Sequence, residues 1–135
     1  MPAHGIMDAA VTTRVPDETL IDEWRNLLSR HSRTVCALDR ELHEHHGIGM
    51  SEFEVLERLA ATSGARVQEL ASGLHLSQSA LSRAIARLEK DGLVIRSMCP
   101  EDRRGVSVCL TPAGRDRYEA ARPTHRQVLS ETLTR

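Results

Sequence analysis

Between Ser77 and Gly92, apolar residues recur at Leu81, Ala84, Ile85 and Leu88, the spacing that puts them on one face of an α-helix. The other face carries Gln78, Ser79, Ser82, Arg83, Arg87 and Lys90. Ser77 suits the N-cap, where its hydroxyl can accept a free backbone N–H, and Gly92 suits the stop. A shorter apolar period precedes this helix, at Val67, Leu70, Ala71 and Leu74, with Gly73 permitting a sharp change of direction. After it come two β-rich runs, Val94 to Met98 and Val106 to Leu110, joined by a charged tip, residues 100–105, that contains Asp102, Arg103 and Arg104. The order is helix, turn, helix, hairpin.

The flanks read as helices. Pro16 and Asp17 suit a start, and Leu20, Trp24, Leu27, Leu28, Val35, Leu38 and Leu42 mark one face of a long helix ending near Gly47. Ser51 and Glu54 suggest a capping box for a helix carrying Phe53, Leu56 and Leu59. Thr111 and Pro112 start another helix, which Pro123 is expected to break or kink before a last segment runs to Arg135. Residues 1–15 show no period and read as disordered. The expected fold is mainly α with a small β-hairpin wing. A winged helix-turn-helix is expected over residues 51–111, with flanking helices in residues 16–48 and 112–135.

The polar face of the second short helix offers amide, hydroxyl and guanidinium groups, which can pair with base edges and phosphates in a major groove. An ordinary amphipathic helix with a solvated face has the same pattern. The small hydroxyls at Ser77, Ser79 and Ser82 favour DNA, because they allow a close approach of the backbone. Arg83 is the candidate for bidentate contact with a guanine or for a phosphate clamp. An arginine at the hairpin tip can enter a minor groove, with Asp102 holding one guanidinium through a charge-assisted pair. A solvated charged turn is the alternative for the tip.

Net charge is −1, which changes the picture only when the chain is divided. Residues 1–65 hold 6 basic and 11 acidic side chains, and residues 66–135 hold 12 basic and 8 acidic. The local field is what phosphates meet. Trp24, Phe53 and Tyr118 are the only aromatics besides histidine, too few for a base-stacking platform on single strands. No triad order, nucleophile elbow, phosphate loop or paired-carboxylate motif stands out, so an enzyme is not expected, nor is a cofactor. A winged-helix module for docking proteins is the rival from another class. With no leading apolar run and no stretch long enough to span a bilayer, the expected location is the cytoplasm.

The segment resembles the MarR (multiple antibiotic resistance regulator) family of bacterial winged-helix repressors. The resemblance rests on Leu76-Ser77-Gln78-Ser79-Ala80-Leu81-Ser82-Arg83, followed by Leu88-Glu89 and Gly92-Leu93. It rests also on the wing signature Asp102-Arg103-Arg104 with Leu110-Thr111, and on Leu42 to Leu59. It spans roughly residues 17 to 130. It implies Arg104 as the minor-groove residue, Asp102 as its support and Arg103 as a phosphate contact. It also implies interlocking first and last helices in a homodimer, double-stranded DNA with a pseudo-palindromic site, and a small-molecule effector of unknown identity. A first helix this long also has apolar surface to spare, for which a second copy is the simplest cover. The family's closing helix usually runs longer than the stretch after Pro123.

Histidines and cysteines add one alternative, a zinc-responsive regulator of the same fold. His43 and His46 are three apart and could share a face; Gly47 stands where a zinc-protease pattern would need its second histidine. His31 and His75 read as ordinary packing or surface residues. Of the three cysteines, Cys36 reads as packing. A tip at 100–105 would set Cys99 opposite Val106 and Cys109 opposite Arg96, so the two wing cysteines would not face each other. Family members that sense peroxide use a cysteine near the start of the first helix, and none lies there.

Overall fold

The computed structural model describes residues 14–99 and 102–134, without the side chains of residues 98, 99 and 102–105. The expectation for the N-terminus therefore lies largely outside the described residues. Those described form helices α1 (Asp17–His46), α2 (Met50–Ala60), α3 (Val67–Gly73) and α4 (Gln78–Lys90), strands β1 (Val94–Cys99) and β2 (Asp102–Leu110), and helix α5 (Pro112–Leu133). The chain divides into two compact units, Met1–Arg33 and Thr34–Arg135.

In the first unit, the opening turns of α1 carry Leu20, Ile21, Trp24, Leu27 and Leu28, all exposed; Trp24 keeps 59 % of its surface in solvent. An apolar row of this kind is far from the usual state of a helix face.

In the second unit, Leu38 and Leu42 at the end of α1 are buried with Phe53, Val55, Leu56 and Leu59 of α2, Leu70 of α3 and Tyr118, Ala121 and Val128 of α5. The helix stripe anticipated in α4 is the buried one: Leu81, Ala84, Ile85 and Leu88 all lie in this core. Burial of each large side chain there contributes about 1.5–3 kcal/mol.

Sequence expectations for two helices and for the wing need correction. Ser51 does not cap α2. That helix begins at Met50 with Gly49 as N-cap, and the Gly49 amide donates to the Glu52 carboxylate at 2.6 Å. A glycine has no side chain to cap with, so this end is satisfied by Glu52 and by Asp39 of α1, which accepts from the Met50 amide at 3.0 Å. Pro123 neither ends nor splits the last helix, which runs unbroken through 22 residues. Proline removes the donor to residue 119, but Pro123 and Glu119 are both exposed, so water can take the freed carbonyl. There is one C-terminal helix, not several. Finally, β2 begins at Asp102, inside what was expected to be a loop.

The wing register runs Val94↔Leu110, Ile95↔Cys109, Arg96↔Val108, Ser97↔Ser107 and Met98↔Val106. A bulge follows, and Cys99 pairs with Asp102. Cys109 thus faces Ile95, not Arg96, and Cys99 faces Asp102, not Val106. Residues 103–105 are taken up by the bulge, so pairing resumes nearer the tip. The two cysteines are not partners in this register. Ala65 adds a third short element: its amide donates to the Val108 carbonyl at 3.0 Å, and the Val108 amide returns a bond at 2.8 Å.

Candidate nucleic-acid interface

Local chemistry explains why α4 starts and stops where it does. The Ser77 hydroxyl accepts from the Ala80 amide at 3.1 Å, satisfying one orphan donor of the first turn. At the other end, the Leu93 amide donates to the Leu88 carbonyl at 2.9 Å and the Gly92 amide to the Glu89 carbonyl at 3.1 Å. That pair of bonds is a Schellman closure, and it needs the left-handed backbone that Gly92 adopts at φ +75°. Leu88 and Leu93 are both buried at this junction, which adds the apolar contact that usually accompanies the motif.

Gln78, Ser79, Ser82, Arg83, Arg87 and Lys90 are all exposed, as is Ser77 itself. The structure therefore brings every proposed helix residue to one solvent-facing side of a rod whose other side is core. Free helix N-terminal amides and hydroxyls lie at its start and three cations follow along its length, a distribution suited to a polyanion. Arg87 and Lys90 sit in the last turn, where they also complement the carbonyl end of the helix.

The wing is fastened to this helix at three points. The Thr111 hydroxyl donates to the Gly92 carbonyl at 2.7 Å while accepting from the Gly114 amide at 3.0 Å. The Thr111 amide donates to the Leu93 carbonyl at 3.1 Å. Arg96 on β1 donates through Nε to Glu89 on α4 at 3.1 Å. Thr111 is thus both the N-cap of α5 and a clasp on the end of α4. Asp102, Arg103 and Arg104 have their backbone on β2. Their side chains lie outside the described residues, and with them the suggested Asp102–arginine pair.

The histidines sit apart from this face. His43 lies 3.8 Å from Asp39, and His45 lies 3.3 Å from Glu41, both pairs one turn apart on α1. His46 contacts the Thr124 hydroxyl at 2.8 Å, and Arg117 donates to the His46 carbonyl at 3.0 Å, closing the C-terminus of α1. Burial pushes the His46 imidazole below its ordinary range, and the neighbouring His45 and Arg117 charges push it the same way. His43 and His46 are not joined by a third metal-ligating side chain among the described residues; the one such group there is Glu54, Glu57 and His125. His31 and His75 are exposed. Cys36 is exposed too, not packed as expected, and Cys109 lies 3.8 Å from the Ser97 hydroxyl.

Sequence reasoning missed the Ala65 bridge, the Arg96–Glu89 link and the contacts of His125. Only the last left a signal: Tyr118, Ala121, His125 and Val128 follow one helical stripe, a histidine among apolar residues.

A winged helix-turn-helix of this geometry has measurable relatives. The MarR family model matches residues 48–106, from just before α2 into β2. AbsC of Streptomyces coelicolor, a MarR family transcriptional regulator, is 30 % identical, with 89 % of this chain and 82 % of that one aligned at a TM-score of 0.76. The chain belongs to the MarR family. A second MarR family regulator of S. coelicolor, Sco3205, was solved in complex with DNA. It is 30 % identical over 90 % of this chain and 77 % of its own, at a TM-score of 0.78. YkoM of Bacillus subtilis (strain 168), an uncharacterized HTH-type transcriptional regulator, is 32 % identical over 82 residues. That match covers 61 % of this chain and 53 % of YkoM, so the chain spans about half the length of this curated relative. Among the described residues, no helix is long and apolar enough to cross a membrane.

Proposed function

We propose that this protein is a sequence-specific regulator of transcription that binds double-stranded DNA as a homodimer, and is a repressor released by a small-molecule effector. The carrying observation is the exposed set Gln78, Ser79, Ser82, Arg83, Arg87 and Lys90 on a capped helix whose opposite stripe is fully buried. In this reading Ser79, Ser82 and Arg83 discriminate bases, and Arg87, Lys90 and Arg103 hold phosphates. Arg104 enters the minor groove with Asp102 beside it. The DNA complex of Sco3205 supports the same use of the fold.

Homodimerisation is supported by the exposed apolar row of the first unit, which a second copy would cover. A twofold dimer calls for a pseudo-palindromic site with half-sites about one helical turn apart. For the effector, two open clefts of about 460 and 630 Å³ share His45 and His46. The first is lined also by Asp116 and Arg117, the second by Glu41, Thr124 and Gln127. A ligand there would bear on the ends of α1 and α5, and a preference of a few kcal/mol for one arrangement suffices for control.

The test is footprinting on genomic fragments at low and raised salt. Protection of a duplex site with inverted half-sites, weakening steeply with salt, is the expected result. Absence of any protected duplex at low ionic strength would leave a protein-docking module as the better reading.

A further inference from the structure

His125 lies in the stripe of α5 that faces the core and keeps 5 % of its surface exposed. Its ring stacks on Phe53 with centroids 4.4 Å apart and planes 20° apart. Arg126 contacts Nδ1 at 2.8 Å. A guanidinium only donates, so Nδ1 accepts and the imidazole carries its proton on Nε2. That nitrogen faces Glu54 Oε2 at 3.5 Å. Glu57, one turn further along α2, accepts from Tyr118 at 3.1 Å and from Arg126, both on Oε2; neither donor uses Oε1. Burial raises the tendency of Glu57 to hold a proton, but the bonds from Arg126 and Tyr118 outweigh it and hold the carboxyl below its usual range.

One donor atom from each of Glu54, Glu57 and His125 lies within 4.8 Å of the others. An independent feature makes the group reachable: Glu54 and Glu57 also line an open cleft of about 240 Å³ with Arg58, Ala61, Gly73 and Leu74. One ligand thus forms a rigid, buried floor, and two carboxylates about a third exposed can turn toward an ion entering from solvent.

We propose that Glu54, Glu57 and His125 form a binding site for a divalent cation of the zinc class, with water from the cleft completing the coordination. Two carboxylates and an imidazole are a zinc donor set, with ligand distances of about 2.0–2.2 Å. The three side chains must close in by small rotations to reach it. Nε2 takes the metal in place of its proton, and the ring proton then resides on Nδ1. Nδ1 can no longer accept from Arg126, whose guanidinium, about half exposed, turns out to solvent and takes its repulsive charge with it. The ion would tie α2, which packs on α4, to α5, and so fasten the DNA-reading part to the last helix.

The test uses the full chain, stripped of metal, titrated with Co²⁺ and Zn²⁺ and followed by visible absorption and thermal unfolding. One equivalent of Co²⁺ should produce ligand-field bands, and either ion should raise Tm. Glu54→Gln and Glu57→Gln should each weaken binding at least about tenfold. These carboxamides are used because replacing His125 would disturb its packing on Phe53. Arg126→Gln should bind several-fold tighter, since a competing cation is gone; a purely structural network would only be loosened by that change. His43→Ala with His46→Ala should leave binding as it was. No uptake by the parent chain, equal uptake by the carboxamide variants, or loss in the double histidine variant would each overturn the proposal. None of these readouts depends on DNA binding.

Discussion

Arg96, on the first wing strand, donates to Glu89, on the exposed face of α4, at 3.1 Å. Both side chains are partly exposed, so the pair stabilises the fold by only a few tenths to about 1 kcal/mol. Its effect lies in aim: it fixes the strand leading to the wing tip against the helix that would read the major groove. A double-mutant cycle with Arg96→Ala and Glu89→Ala should show a small coupling in thermal stability. Coupling well above about 1 kcal/mol would mean that the pair carries more than alignment.

Arg83 is expected to be the most sensitive residue for DNA. Arg83→Ala should weaken operator binding more than about tenfold, in keeping with loss of one bidentate contact. Its circular dichroism and Tm should not change, because the side chain is exposed and α4 keeps its cap and stripe. Arg104→Ala should also weaken binding, measured by fluorescence anisotropy on the same duplex. Unchanged affinity in either variant would remove the role assigned to that residue.

The exposed row on α1 gives an expectation about assembly. Trp24→Glu combined with Leu28→Glu puts two charges into a surface that a second copy would cover. The variant should elute as a monomer in size-exclusion chromatography with light scattering, while the parent chain elutes as a dimer. A monomeric parent chain would refute the homodimer.

Gly114, in the first turn of α5, lies against the backbone of Leu93, just past the end of α4. A Cβ built there would collide with the Leu93 carbonyl, which itself accepts from Thr111. Gly114→Ala should therefore destabilise the fold by about 1–3 kcal/mol, as overpacking does. Gly92→Ala meets no atom within 4 Å and should cost about 1 kcal/mol through its left-handed backbone alone. Chemical denaturation of the two variants should rank them in that order.

His46 supplies a pH dependence. Its ordinary value is 6.5, and burial, then His45 and Arg117, lower it in the folded chain. Below pH 6.5 the unfolded chain takes up a proton that the folded chain does not yet hold. Stability therefore falls as pH drops through this window and levels off below the folded value. His46→Gln should show a shallower fall in Tm between neutral and mildly acidic buffer. An equally steep fall would place the sensitivity elsewhere.

Much of the reading part was legible because its signals are local. Ser77, Thr111 and Gly92 act through backbone bonds to residues a few positions away, and the stripe from Leu81 to Leu88 follows from the helical repeat alone. What escaped was decided at longer range or by competition between neighbours. Ser51 matched a capping pattern, but the carboxylate of Glu52 reached the Gly49 amide first. Pro123 broke a rule of helix interiors, yet on an exposed face water can satisfy what proline frees. The bulge in the wing shifted the pairing of Cys99 and Asp102, which no alternation of side chains announces. Ala65 and Val108 meet across 43 positions of chain. His125 gains its meaning only when α5 lies against Phe53 and Glu54.

Because Thr111 grips both Gly92 and Gly114, finger and rod are cast as one rigid tool. In a dimer, a chemical signal reaching α1 or α5 could widen or narrow the gap between two such tools, yet could hardly reshape either one. Control of this kind would change whether both halves engage at once, leaving the sequence preference of each half as it was.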